Sequence, residues 1–336
     1  MADRFAPRLV NGPFEDPVLF VGFHHERRAV LFDLGRIDRL SAREILKISD
    51  VFVSHTHLDH FIGFDHLLRC SLNRERELRL YGPKGIIDNV RGKLAGYTWN
   101  WIREYPIALA VHEVDPPVVR KVDLKAAGGF APEGEAEGPF TGTLLEESSF
   151  RVRCAVLDHA VPCLAFSLEE SNRLNVRPDV LQAEGLQPGP WLDELKRMLR
   201  ERHPSTTLLG APLESGKTRE LSLEAWRDLL ILESAGQKIT YVVDNQYNAA
   251  NAGRIVSLAA GSDFFFCEAS FSQADEQRAR ERYHLTATQA GRLARRAGVK
   301  KFVPFHFSLR YRSEPDRLRD EALAAFAAGE ADESAA

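Results

Sequence analysis

"SHTHLDHFIGFDHLL", residues 54–68, sets four histidines and two aspartates within fifteen positions, directly after the apolar run "DVFV" at 50–53. A core strand or helix rarely accepts that many ionisable groups. "DVFVS" (50–54) reads as a buried strand, and "FIGFDHLLRCSL" (61–72) has helical spacing. His55 and His57 lie two apart where the strand ends, so extended backbone points them to the same side. Asp59 and His60 fall where the chain turns into the helix, and adjacent residues diverge there. Imidazole nitrogen and carboxylate oxygen both suit zinc. One short loop therefore offers ligands to two ions. A solvated His-rich loop is the bland alternative. Four metal-type residues in six positions after an apolar strand speak against it.

A two-ion site needs donors from elsewhere, and the ends of later strands supply them. His159 ends "RCAVLDH", Asp244 ends "ITYVVD" and His306 ends "KFVPFH". The expected partition gives His55, His57 and His159 to one zinc ion and Asp59, His60 and His306 to the other. Asp244 bridges them. Two divalent ions about 3.5–4 Å apart bind a hydroxide between them and clamp the charge that develops on a phosphoryl group. That chemistry suits phosphodiester hydrolysis. The donor types alone do not separate zinc from manganese.

The rest of the chain alternates strand and helix. "PVLFVGF" (17–23) and "RAVLFDLG" (28–35) predict a hairpin, and "SAREILKI" (41–48) predicts a helix with Ser41 as N-cap and Glu44 completing a capping box. "LRLYGPKGI" (78–86) is a strand ending in a Gly-Pro loop, and 150–170 reads as two strands joined at "DHAVP". Strand 238–245, helix 248–260, strand 263–270, helix 286–298 and strand 300–306 follow, which places helices outside sheet. The Gly-, Glu- and Pro-rich stretch 121–149 is expected to be a mobile surface insertion. Residues 171–220 look like a semi-independent excursion, and 321–336 is expected to be a flexible tail. The rest, 1–320, is expected to be one domain.

Bulk properties exclude several classes. The 336 residues carry a formal net charge of −4, so no global positive field draws in nucleic acid, and any such contact needs a local basic patch. The four cysteines, Cys70, Cys154, Cys163 and Cys267, form no CxxC pair, which argues against a cysteine zinc site or thiol-redox motif. The N-terminus lacks an apolar signal region, and no apolar run approaches about 18 residues, so no membrane span is expected. The expected location is the cytoplasm.

The HxHxDH loop with later His, Asp and His resembles the metallo-β-lactamase superfamily, an α/β fold of two mixed sheets face to face with helices outside (an αβ/βα sandwich). "CEASF…HLTATQAGRLARRAGVKKFVPFHFSLRY" (267–311) is similar to ribonuclease Z, the family that trims precursor tRNA 3′ ends. The carriers are Glu268, His284, His306, Ser308, Arg310 and Tyr311, together with "YGPKGI" (81–86). "EGLQPGPWLDEL" (184–195) resembles the start of that family's tRNA-gripping arm. Departures lie at "RLVNGPF" (8–14), at "FDLGRIDRL" (32–40), at "VDN" (243–245) and at Cys267, where the family has His.

The resemblance implies further roles. Asp59 orients the attacking water or takes its proton. His284 protonates the leaving 3′-oxygen, with Glu268 holding its imidazole. Arg310 is expected to pair with a substrate phosphate, with Ser308 donating a hydrogen bond nearby, and a structural salt bridge is the competing reading for Arg310. The resemblance also implies a homodimer in which the arm serves the neighbouring subunit, and the basic run "KRMLRER" (196–202) would then be a handle for RNA phosphates. Lys84 reads as a solvated loop lysine. His24, His25, His66, His112 and His203 are assigned no role. The alternatives are a phosphodiesterase for small or cyclic nucleotides or another ester, and a non-catalytic RNA-binding paralogue. A thioesterase or lactonase would not need Glu268, His284 or "HFSLRY".

Overall fold

Ala29 and Leu31 face a helix-covered core while Phe32 faces the opposite side of the sheet, and this two-residue period organises the molecule. The structure, a computed structural model, describes residues 3–24 and 26–328. Its first sheet holds β1 (Phe5–Leu9), β2 (Leu19–Phe23), β3 (Ala29–Phe32), β4 (Ile48–Phe52), β5 (Leu78–Pro83), β6 (Ala108–Asp115), β7 (Val118–Lys125) and β8 (Pro132–Pro139), in that spatial order. The central strands β3 to β6 run parallel, and the outer pairings are antiparallel. The predicted hairpin is β2–β3. The helices α1 (Ala42–Ile45), α2 (Leu58–Phe61), α3 (Phe64–Ser71) and α4 (Ile86–Ala95) lie between these strands in sequence. Ser41 caps α1 with Glu44 in the predicted capping box. Ile45, Leu67, Leu68, Val90 and Leu94 pack with Leu31, Val51, Leu80 and Val111 of the sheet.

The opposite face of this sheet carries an aromatic ladder. Phe32, Phe52, Tyr81 and His112 are direct cross-strand neighbours, with successive ring centroids 5.4, 4.7 and 4.4 Å apart. Such pairs add about 0.5–1.5 kcal/mol each beyond the area they bury. Burial is the main reason His112 is pushed down to about 4, with Lys121 and Arg79 adding to it.

The second sheet begins with β9 (Thr143–Glu147), β10 (Phe150–Asp158) and β11 (Pro162–Glu170). The chain then makes a separate unit with β12 (Arg173–Val176), α5 (Pro178–Ala183), α6 (Trp191–Arg200), β13 (Leu208–Pro212), β14 (Thr218–Ser222), α7 (Leu223–Leu230) and β15 (Ile231–Ser234). It returns with β16 (Lys238–Val242), α8 (Ala249–Ala259), β17 (Phe264–Glu268), α9 (Glu276–Glu281), α10 (Ala287–Arg296), β18 (Phe302–Phe305) and α11 (Arg317–Ala327). The second sheet runs β18-β17-β16-β11-β10-β9, with β16, β17 and β18 parallel. Phe166 and Tyr241 meet Phe32 at 5.7 Å each, so the two sheets face one another across the ladder. Helices α8, α10 and α11 cover the outer side through Ile255, Leu258, Leu293 and Leu318. This is the expected sandwich of two mixed sheets with helices outside.

Three boundaries differ from the sequence reading. Residues 121–149 are strands rather than an irregular insertion. β8 reads "PEGEAEGP" and buries no side chain, because an edge strand is held by backbone pairing and needs no apolar period. Gly134, at φ 59°, sits where the β7–β8 register shifts and supplies the left-handed conformation a bulge requires. Chain contacts divide the 1–320 domain into two units, the second being Leu145–Arg151 with Glu169–Gln237. The excursion read at 171–220 is thus longer. It owns a core of Leu181, Leu186, Trp191, Leu195, Met198, Trp226 and Leu230. Finally, α11 extends through Ala327, so the first part of the expected tail is helix, and 329–336 lie outside the described residues, as does His25. Among the described residues no helix is long and apolar enough to cross a membrane.

Candidate active site

Parallel strands put their C-terminal ends on one edge, and that edge collects the candidate donors. Asp33 follows β3, His55 to His60 follow β4, His159 follows β10, Asp244 follows β16, Glu268 ends β17 and His306 follows β18. Sequence separations of up to 251 residues, from His55 to His306 (306 − 55), collapse into one cluster. His55, His57, His159 and Asp244 form one donor group, and Asp59, His60 and His306 another. Asp244 lies between them. Its Oδ2 is 3.6 Å from His55 Nε2, 3.5 Å from His159 Nε2 and 3.5 Å from His60 Nε2, while its Oδ1 is 2.9 Å from His306 Nε2. Asp59 Oδ2 stands 3.5 Å from His60 Nε2 and 3.8 Å from His306 Nε2. Donors that share a tetrahedral ion at metal–ligand bonds of 2.0–2.1 Å sit about 3.4 Å apart, so these spacings fit.

Two further observations agree with a cation. His60 Nε2 and Asp244 Oδ1 are buried without a hydrogen-bond partner, which is costly unless something else satisfies them. Three of the imidazoles also have their other nitrogen committed. His60 Nδ1 donates to Asp33 Oδ2 at 2.8 Å, and His159 Nδ1 donates to the Tyr283 carbonyl at 2.7 Å. His55 Nδ1 donates to Ser54 Oγ at 3.1 Å, and that hydroxyl donates on to Asp33 Oδ2 at 3.0 Å. In each case the partner on Nδ1 turns Nε2 toward the cluster.

Electrostatics follow from this packing. Burial, then the neighbouring His60, holds His55 far below the usual imidazole range, so it is neutral. His57 is lowered by burial and by His159. Burial opposes the charge on His60, but Asp244 and Asp33 outweigh it and raise the ring well above the usual value. Burial would raise Asp244, yet His306, His284 and His60 hold its carboxyl well below the carboxylate range.

The second carboxylate–histidine pair is also assembled. His284 Nδ1 donates to Glu268 Oε2 at 2.8 Å, and lies 3.8 Å from Asp244 Oδ1. Glu268 is fully buried and accepts from Asn245 N at 2.8 Å and Ser270 Oγ at 2.6 Å. Burial lowers the pKa of His284, but Glu268 and then Asp244 overcome it and bring it to about 9. The residue before it, Tyr283, has φ 57°, and His306 and Asp33 have φ 57° and 61°. Such backbone in a non-glycine residue costs on the order of 1–3 kcal/mol and is held here by the surrounding packing.

Ser308 and Arg310 stand on the turn after His306. The Ser308 hydroxyl accepts from Arg310 N at 3.4 Å, and the half-exposed Arg310 lies 3.7 Å from Asp275. Lys84 is solvent-exposed and pairs with Asp115 at 2.9 Å, as a loop lysine does. Cys267 packs fully buried among apolar residues, and burial pushes its thiol far up.

Sequence reasoning missed Asp33, which orders the cluster from behind. Fully buried, it accepts from Ser54 N (2.7 Å), Ser54 Oγ, Tyr241 OH (2.9 Å) and His60 Nδ1. The signal was present, since "AVLFD" ends in a metal-type residue as the other contributing strands do. The loop beneath is tight as well. A Cβ on Gly63 would lie 2.1 Å from the Gly35 carbonyl, and one on Gly35 would lie 2.6 Å from the Asp59 carbonyl, so this close approach requires glycine at both. Asp33→Asn is expected to weaken metal binding about 10- to 100-fold, because the amide is uncharged and has one acceptor oxygen for donors that now share two. Competition against a chromogenic chelator checks this, and unchanged affinity would refute it.

No family model matches the chain. A ribonuclease Z of Deinococcus radiodurans is 34% identical over 294 residues, covering 84% of this chain and 83% of that one. Among solved structures, the short form of human tRNase Z superposes with TM-score 0.52 at 19% identity, covering 91% of this chain and 92% of that one. The metallo-β-lactamase fold protein YhfI of Bacillus subtilis gives TM-score 0.52 at 14% identity over 96% of this chain and 94% of its own.

Proposed function

Because the chain belongs to the ribonuclease Z family and is a hydrolytic endoribonuclease of metallo-β-lactamase fold, we propose that it removes the 3′ trailer from precursor tRNA with two zinc ions. The observation that carries this reading is the two donor groups with Asp244 in one and within 3.5 Å of His60 and 2.9 Å of His306 in the other, and the Glu268–His284 pair beside it. His55, His57 and His159 would hold one zinc, and Asp59, His60 and His306 the other, with Asp244 common to both. When bound, the ions supply Lewis acidity and lower the pKa of water toward neutrality.

The chain's own groups handle orientation and protons. Asp59 is the most exposed donor of its group, with 43% of its side chain accessible, so it faces both the cluster and entering water. It orients the attacking water and accepts its proton. As the bond from the water oxygen to phosphorus forms, the bond from phosphorus to the 3′-oxygen breaks. His284, held on Nδ1 by Glu268, delivers a proton from Nε2 to that oxygen. Glu268, accepting from Nδ1, favours the protonated ring and so keeps an acid at Nε2.

The second unit serves as the RNA-gripping arm of a homodimer. Its helix α6 buries Trp191, Leu195 and Met198 and leaves basic residues outward. Of the run 196–202, Arg197 is neutralised by Glu194 and Glu201, which leaves Lys196, Arg200 and Arg202 for phosphate. Reversing those three charges should raise KM for precursor tRNA and flatten its salt dependence by about one unit per lost contact, without affecting a small ester. An unchanged KM would refute the arm.

The deciding assay offers precursor tRNA and bis(p-nitrophenyl) phosphate, with and without chelator, to protein of measured metal content. Cleavage at the 3′ boundary that chelator stops and zinc restores supports the reading. Cleavage of the small ester alone moves the substrate to small or cyclic nucleotides. Cleavage of neither, with zinc loaded, overturns the proposed reaction.

A further inference from the structure

Tyr247, Glu276, Arg280, His284 and Gln289 line one small cleft. We propose that Tyr247 and Arg280 form a nucleotide subsite beside His284, with Tyr247 stacking on the base of the nucleotide whose 3′-oxygen leaves and Arg280 pairing with a phosphate of the same strand. This deepens the precursor tRNA reading and rests on it.

The argument starts from Tyr247, which is 37% exposed three residues after Asp244. Its neighbours are pinned. Gln246 N donates to the Asp158 carbonyl at 2.8 Å, Asn251 Nδ2 donates to the Gln246 carbonyl at 2.8 Å, and Asn248 caps α8 through Asn251 N. Asn245 N is fixed on Glu268 Oε1 at 2.8 Å. The phenol is thus carried on rigid backbone tied to the same carboxylate that holds His284. Yet among the described residues its hydroxyl has no hydrogen-bond partner and its ring no aromatic neighbour. A preorganised aromatic face left open beside a proton donor is a stacking platform, and unpaired RNA bases are held that way.

Arg280 completes the cleft. It is exposed on α9 and has no ion pair among the described residues. The cleft's acid, Glu276, is already committed, accepting from Gln273 Nε2 at 2.9 Å and Gln289 Nε2 at 3.0 Å. The planar guanidinium is therefore free to fork onto phosphate. Because His284 protonates the leaving oxygen, the nucleotide next to this cleft is the one on the 5′ side of the cut.

The test is a cycle of enzyme and substrate changes. Wild type, Tyr247→Ala and Tyr247→Phe are assayed on precursor tRNA and on the same RNA with an abasic residue 5′ to the scissile phosphate. Tyr247→Ala is expected to lower kcat/KM about 10- to 100-fold on the intact RNA, and Tyr247→Phe to restore it, since stacking does not need the hydroxyl. The abasic RNA should impose a similar loss on wild type and little further loss on Tyr247→Ala. A Tyr247→Ala enzyme as fast as wild type, or an abasic penalty undiminished in it, overturns the subsite. Wild type that cuts neither RNA overturns the tRNA reading itself and this inference with it, and the wild-type lane tells the two failures apart. Arg280→Gln should raise KM and reduce the salt slope by about one. An unchanged slope removes Arg280 from the subsite.

Discussion

Asp244→Asn is expected to leave the protein folded, to cost it one of two tightly held divalent ions, and to lower precursor tRNA cleavage by at least about 1,000-fold. Asp244 is buried among imidazoles, and its Oδ1 has no hydrogen-bond partner. Removing its charge takes away the anion that His306, His284 and His60 face, so the metal-free chain should lose some stability, and the gain on adding metal is read against each protein's own metal-free melting temperature. What disappears is the shared anion between the two donor groups. Metal-dependent stabilisation, which grows with free metal over its dissociation constant, should fall accordingly. Metal content by mass spectrometry, melting with and without zinc, and cleavage rate give three separate readouts. Two retained ions with activity within tenfold of wild type would refute the bridge.

His284→Ala should lower kcat on precursor tRNA about 10²- to 10⁴-fold, the usual range for a lost general acid. A ribose 3′-oxygen is a poor leaving group and needs the Nε2 proton of His284, whose Nδ1 is held by Glu268. p-Nitrophenolate leaves without one, so bis(p-nitrophenyl) phosphate should be cut at nearly the wild-type rate. The contrast between substrates distinguishes an acid from a structural residue, since loss of the metal cluster would depress both. Equal losses on the two substrates would refute the assignment. Asp244, Glu268 and His284 also form a donor group, but the His284 Nδ1 is taken by Glu268, so metal content should stay at the wild-type level.

Much of the site was legible because its parts obey local rules. HxHxDH directly after an apolar strand announces donors, and "RCAVLDH", "ITYVVD" and "KFVPFH" each end an apolar strand on a metal-type residue. Strand and helix periods likewise gave the alternation of the last third. The reading failed where backbone pairing, rather than side-chain pattern, makes structure. The exposed β8 has no apolar period at all, and β9 buries only Leu145. It also failed to see Asp33, because the role of that residue depends on four donors brought to it from β4, β16 and the metal loop.

The sequence by itself determined the fold class and the family resemblance and offered the candidate donors, since residue identity and short-range periodicity are written in the chain. Only the tertiary structure decided which donors face which. Parallel strands bring His55, His159, Asp244 and His306 to one edge, Asp33 orders the ring of His60 from behind, and Tyr247 is left uncovered beside His284. Those facts depend on distances between residues far apart in the chain, and no local pattern encodes them.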